Sequence, residues 1–209
     1  MLLKFYQIEF YKTFWNVIKI DIIEIIVYSM SHFKLTKHQN EGMIRLIPKE
    51  SNIEHLEGWR PITLLNVDYK IIAKILANRM KKVMKNVISI EQYCGVEGRS
   101  IISCNNRMRD IISYCDKEKK DVAIMSLDWQ KAFDRVDQIF LFKIMEKMEF
   151  PDTFIKWIKM LYLDCKSSVL INNRTTNKFD VKKSVRQGCP LAMLLYVIYQ
   201  EPLYIPVWF

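Results

Sequence analysis

The stretch Val122 to Asp137, read as VAIMSLDWQKAFDRVD, constrains the fold more than any other part of the chain. It opens on an apolar run, Val122-Ala123-Ile124-Met125, of the length of one buried strand. The run delivers Asp128 to the strand's carboxyl end, the edge where sheet proteins collect ligands and catalytic groups. Phe133 and Asp134 follow, and a helical pattern begins. A carboxylate at a strand end, an aromatic beyond it and a second carboxylate opening a helix suit a hard cation. Mg²⁺ prefers one or two carboxylates plus substrate phosphates to a full protein cage. An Asp at a helix start also serves as a cap, so Asp134 carries two readings.

The segments around this stretch predict a mixture of helices and strands. Apolar residues recur at helical spacing from Glu9 to about Tyr28 (Phe10, Phe14, Val17, Ile18, Ile22, Ile25, Ile26), which predicts a core helix. After a polar linker at Ser31 to Asn40, Met43 to Ile47 is one strand, stopped by Pro48. Lys49 to Gly58 is a polar loop, and Trp59 to Leu65 returns as the second strand of a hairpin. Asp68 is placed to cap a helix running to about Ile88. Its lysines lie mostly off the apolar face, as a solvated surface or as a phosphate track. Another helix fills Ile101 to Lys117. Phe140 to Met148 predicts a helix ending before Pro151, and Asp152 is placed to cap the next. Asn172-Asn173-Arg174 turns a hairpin between Ser168–Ile171 and Lys178–Val181. Gly188 permits a sharp turn, and Pro190 suits the start of a helix over Leu191 to Glu201.

Charge and cysteine usage narrow the chemistry. A net charge of +9 on 209 residues points to a polyanionic partner, nucleic acid before a membrane surface, although surplus lysine also serves solubility. Five widely spaced cysteines, none in a C-x-x-C pair, argue against a disulfide framework or a zinc site. The most apolar early segment, Ile20 to Tyr28, is broken by Asp21 and Glu24 and is too short to span a bilayer.

Five segments, taken together and in order, carry a family resemblance. IRLIPKE (44–50), GWRPITLLNVDYKIIAKILANRM (58–80), SLDWQKAFDRVD (126–137), SVRQGCPL (184–191) and YQEPL (199–203) resemble the reverse transcriptases of LINE-type non-LTR retrotransposons. EFYKTFW (9–15) is similar to the segment just ahead of the fingers in those proteins. A group II intron maturase is the neighbouring lineage, and the 59–79 segment favours the LINE-type branch.

The resemblance implies an α+β right-hand polymerase fold, with fingers over residues 1–115 and a partial palm over 116–209, the thumb absent. It implies RNA-templated DNA synthesis with an RNA template, a DNA primer, dNTP and Mg²⁺, in the nucleus or cytoplasm and away from membranes. Asp128 matches the first metal-binding aspartate and is the expected catalytic residue, aided by the backbone carbonyl of Leu127 or of Trp129. Phe133 falls on the steric-gate position, where a ring excludes a ribose 2′-hydroxyl by clash; by its residue type alone it is equally a core aromatic. Arg60 matches the fingers arginine that grips the incoming triphosphate, and Lys49 stands where a second basic contact is expected. Gln187 and Gly188 match the turn against the new base pair. Asp134 is assigned to the cap of the helix through Met148.

Departures from the pattern set the functional expectation. The family's second metal site lies on an aromatic-Ala-Asp-Asp hairpin, and this chain has no Asp-Asp pair. Ala192-Met193 replaces the usual Ser-Pro, and Tyr204 to Phe209 departs from the family continuation. The chain is therefore expected to be a reverse transcriptase fragment, inactive alone. The alternative is a remnant that binds nucleic acid without sequence preference or chemistry. With half its palm sheet missing, it is also expected to expose a strand edge and apolar surface.

Overall fold

A computed structural model describes residues 8–49 and 55–204. Residues 50–54 of the expected polar loop and 205–209 of the unusual C-terminal segment lie outside the described residues. The architecture is α+β. Helices α1 (Ile8–His32) and α2 (Lys37–Asn40) lead into the hairpin β1 (Glu41–Pro48) and β2 (Trp59–Leu65). Then come α3 (Val67–Val87), α4 (Ile101–Lys117), α5 (Gln138–Lys147) and α6 (Asp152–Tyr162). Three strands, β3 (Lys166–Ile171), β4 (Arg174–Thr175) and β5 (Phe179–Asp180), precede α7 (Ala192–Gln200).

The hairpin forms as its sequence predicts, antiparallel with Pro48 opposite Trp59 and Gly42 opposite Leu65. Pro61 sits in β2, a strand at the border of the sheet, where a missing N–H does least harm. The other side of β1 is taken by β3, in parallel, from Glu41 opposite Lys166 to Arg45 opposite Leu170. β3 in turn pairs antiparallel with β4 at one end and β5 at the other, giving the order β2-β1-β3-β4. Asn172 and Asn173, both at positive φ (48° and 62°), make the two-residue turn between β3 and β4. The division expected between residues 115 and 116 therefore runs across a shared sheet. It also crosses a shared core, in which Leu65, Tyr69, Leu76 and Met80 pack in one cluster with Leu141, Ile158, Leu161 and Leu195.

Three helix caps differ from their sequence readings. Asn66 occupies the N-cap position of α3 without a side-chain cap bond, its amide donating to the His38 carbonyl instead, and Asp68 lies within the first turn. Pro151 occupies the cap of α6, with Asp152 as its first residue. The expected cap at Asp134 is also corrected, because α5 begins later and Asp137 accepts from the Phe140 N–H at 3.0 Å. Asp134 instead falls in a 3₁₀ turn, Ala132–Arg135. Asp137→Ala is expected to lower stability by about 1 kcal/mol, the usual value of a cap. Asp134→Ala should leave α5 intact, and urea unfolding of both variants checks the assignment.

Two predicted core elements are more open than expected. In α1, Ile26 is buried, but Phe14, Val17 and Ile25 are exposed. Apolar residues such as Trp15, Ile20, Ile23 and Tyr28 also lie outside the side of this helix that its described neighbours cover, interspersed with Lys12, Lys19, Asp21 and Glu24. The second is the opening stretch of the sequence. Residues 120–129 have no regular secondary structure, and Val122, Ile124, Met125 and Leu127 are exposed. The expected strand is absent because none of the described strands pairs with it. An extended run gains ladder hydrogen bonds only from a neighbour.

Candidate functional site

Three segments far apart in sequence are brought together by backbone hydrogen bonds. The Val185 N–H donates to the Phe133 carbonyl at 2.9 Å, and the Ser184 N–H to the Val136 carbonyl at 2.8 Å. A bridge between Asp137 and Lys183 extends this pairing. The Thr63 N–H then donates to the Gln187 carbonyl at 2.7 Å, joining the same turn to β2. Val136 and Val185 are fully buried at the seam. Local apolar anchors thus dock the 133–137 segment and the 184–188 turn against the hairpin.

Gly188 is required at this junction by geometry. Its φ is +113°, and a Cβ there would stand 2.5 Å from the Thr63 carbonyl oxygen. Beneath it lies Arg186, buried, with no carboxylate partner among the described residues. Its guanidinium donates to the Leu161 carbonyl at 2.9 Å and the Asn40 carbonyl at 3.3 Å, and stacks 4.4 Å over the Tyr69 ring. Burial drives the Tyr69 and Tyr162 phenols well above their usual pKa, so both remain donors. Tyr69 donates to the Leu161 carbonyl and Tyr162 to Cys189 Sγ.

The result is an open cavity of about 560 Å³ whose walls include Lys49, Arg60, Lys131, Phe133, Asp134 and Gln187. Four of the six residues singled out from sequence meet here. Lys49 is steadied by donation from its ammonium to the Glu57 carbonyl at 3.0 Å. Arg60 projects from β2, exposed. Phe133 is half-buried, its ring 5.0 Å from that of Tyr196. Among the described residues, no ion pair neutralises Lys49, Arg60 or Lys131. Three cations facing one half-buried carboxylate leave the cavity suited to an anion.

Gly188 supports the wall from behind without lining it, and Asp128 does not line it either. Asp128 is exposed in the irregular segment, on the side of Tyr196, whose phenol pKa is raised by burial, then by Tyr204 and Tyr199, and least by Asp128. Two-metal phosphoryl transfer needs carboxylates that hold two ions about 3.5–4 Å apart. Among the described residues, no group of three or more His, Cys, Asp or Glu side chains could hold a metal ion.

Two wall residues were missed or misassigned by sequence reasoning. Lys131 adopts a left-handed conformation (φ 52°) and its carbonyl closes the 3₁₀ turn by accepting from the Asp134 N–H at 2.9 Å. The signal was its place two residues before Phe133. Asp134, assigned to a cap, instead accepts from Gln187 Nε2, which lies 3.3 Å from each carboxylate oxygen.

The cavity adjoins two others along the sheet. It shares Leu46 and Trp59 with a cavity of about 560 Å³ that also contains Arg45 and Leu170. That one shares Ile171 and Asn172 with a third, of about 490 Å³, at Arg174. A groove with Arg45, Trp59 and Arg174 along it thus leads away from the basic cavity. No described helix is long and apolar enough to cross a membrane.

Residues 47–207 match the family described as reverse transcriptase (RNA-dependent DNA polymerase). Over 93% of its length the chain is 33% identical to the transposon TX1 uncharacterized 149 kDa protein of Xenopus laevis, of which it covers 15%. It is 26% identical, over 72% of its length, to a Pol polyprotein from the type-1 retrotransposable element R2 of Popillia japonica, covering 21% of it. It is 27% identical, over 73%, to a probable RNA-directed DNA polymerase from transposon BS of Drosophila melanogaster, covering 17%. The chain thus spans about a fifth or less of the length of these relatives. The chain belongs to the reverse transcriptase family, in the group carried by non-LTR retrotransposons.

Proposed function

We propose that the basic cavity is the incoming-nucleotide site of a reverse transcriptase and that the adjoining groove carries single-stranded template. In this reading the sheet β2-β1-β3-β4 belongs to the fingers, and residues 120–136 with α7 form the front of the palm. The convergence of Lys49, Arg60, Phe133 and Gln187, from three distant segments, on one cavity carries the proposal. Arg60 binds triphosphate oxygens through its guanidinium fork, and Lys49 and Lys131 add point charges. The Phe133 ring, braced by Tyr196, occupies space that a 2′-hydroxyl would need. In the groove, Trp59 offers a stacking surface and Arg45 and Arg174 offer phosphate contacts.

When bound, divalent ions supply the charge stabilisation that phosphoryl transfer requires. With Asp128 exposed and outside the cavity, this chain positions a nucleotide and a strand without completing the ion cradle. The expected activity is therefore binding without synthesis. Purified protein should retain single-stranded RNA in a filter assay at low salt and release it steeply as salt rises, with Arg45→Ala weakening retention. It should incorporate no dNTP on a primed RNA template with Mg²⁺ or Mn²⁺. Incorporation would refute the absence of catalysis, and retention indifferent to salt would remove the phosphate-binding groove.

A further inference from the structure

Asp134 and Gln187 come from segments far apart in the chain, yet the amide nitrogen of Gln187 stands 3.3 Å from both carboxylate oxygens. An ionised carboxylate only accepts hydrogen bonds, and a primary amide donates only through its nitrogen. The orientation of the amide is therefore dictated by its partner. The backbone of Gln187 is independently pinned, because its carbonyl accepts from the Thr63 N–H at 2.7 Å. With both ends fixed, the amide oxygen is the group left to meet a ligand in the cavity.

We propose that Asp134 is a positioning residue, holding Gln187 so that its amide oxygen serves the cavity and selects a ligand that donates a hydrogen bond there. This rests on the cavity being a nucleotide site, and it assigns Gln187 an acceptor role. The donor is an O–H or N–H of the nucleotide, on sugar or base. A neutral residue at 134 could not impose the orientation, since an Asn amide offers a donor or an acceptor to its neighbour with equal ease. The charged groups around Asp134 are Lys131 on its own turn and, across the cavity, Lys49 and Arg60. Burial raises the Asp134 pKa above the usual carboxylate value, although donation from Gln187 and the charge of Lys131 pull it down. The tether should accordingly loosen as acid protonates Asp134, at a pH above that expected for an exposed aspartate.

Two measurements on the 209-residue chain test this. The side-chain amide resonances of Gln187, identified by their loss in Gln187→Leu, should shift with pH in a single step in wild type and stay still in Asp134→Asn. An unchanged titration in Asp134→Asn, or none in wild type, overturns the tether. Affinity for dTTP by equilibrium dialysis should fall about tenfold in Asp134→Asn and in Gln187→Leu, and the double variant should be no worse than either. Additive losses overturn the positioning role, because a merely structural aspartate would act independently of Gln187. Repeating the series with dATP locates the donor: a loss for dTTP alone places it on the thymine N3–H, and equal losses match the sugar hydroxyl that both nucleotides carry. If dTTP and dATP both fail to bind wild type while the amide still titrates, the nucleotide reading fails and the donor-selective role falls with it, leaving the tether alone.

Discussion

Gly188→Ala is expected to destabilise the protein by about 3–5 kcal/mol, enough to remove a large share of the stability of an ordinary domain. Two effects add. A φ of +113° is far from any well that an L side chain occupies without strain. The new methyl would also meet the Thr63 carbonyl oxygen at 2.5 Å, a backbone atom that cannot rotate out of the way. Gly98→Ala separates the two. Its φ of +81° imposes strain, but nothing lies within 4 Å of the added Cβ. That variant should lose only about 1–2 kcal/mol. Urea unfolding of both measures the difference, and equal losses would mean that the close approach of the 187–188 turn to β2 is not what demands glycine. Thr63 donates to the carbonyl of Gln187, so relief of the clash would also shift the cavity wall.

That junction shows what the sequence made legible and what it hid. Elements whose cause is local were readable. The β1–β2 hairpin followed from Pro48 and the apolar run of Trp59 to Leu65, and α4 runs from Ile101 to Lys117 as its pattern predicts. Phe133, Arg60, Lys49 and Gln187 were identified through ordered family motifs, and they meet at one cavity because those motifs lie on segments that pair. Features whose cause is distant were not readable. The parallel pairing of β1 with β3 depends on residues with no local signature of each other. The role of Asp134 depends on Gln187, and periodicity alone could only suggest the commoner cap. The strand expected at Val122 to Met125 failed for a related reason. Its apolar content was legible, but a strand is a property of a pair, and none of the described strands lies beside it. Asp128 therefore lies in an exposed, irregular segment and does not line the cavity.

Arg186→Ala is expected to lose about 3–4 kcal/mol, and Arg186→Met to recover most of that loss. The guanidinium is buried, and among the described residues no acid offsets its desolvation, a penalty of several kcal/mol. Against this stand charge-assisted bonds to two carbonyls and a stacked cation over Tyr69. Each such bond contributes about 1.5–3 kcal/mol, and a desolvated cation–π contact about 2 kcal/mol. The Leu161 carbonyl, in the last turn of α6, sits at the negative end of the helix dipole, which favours a cation there. The polar terms come close to cancelling, so volume decides the outcome. Alanine leaves a void against Tyr69 that the surrounding core cannot close. Methionine fills much of it, while the Leu161 carbonyl keeps donors from Tyr69 and Cys165 at 3.2 and 3.1 Å. Only the Asn40 carbonyl, held by the guanidinium at 3.3 Å, loses a bond in exchange. Chemical denaturation of the two variants discriminates between the causes. Equal losses for Met and Ala would show that the charge and its hydrogen bonds, rather than packing, hold the Gln187 turn onto the end of α6.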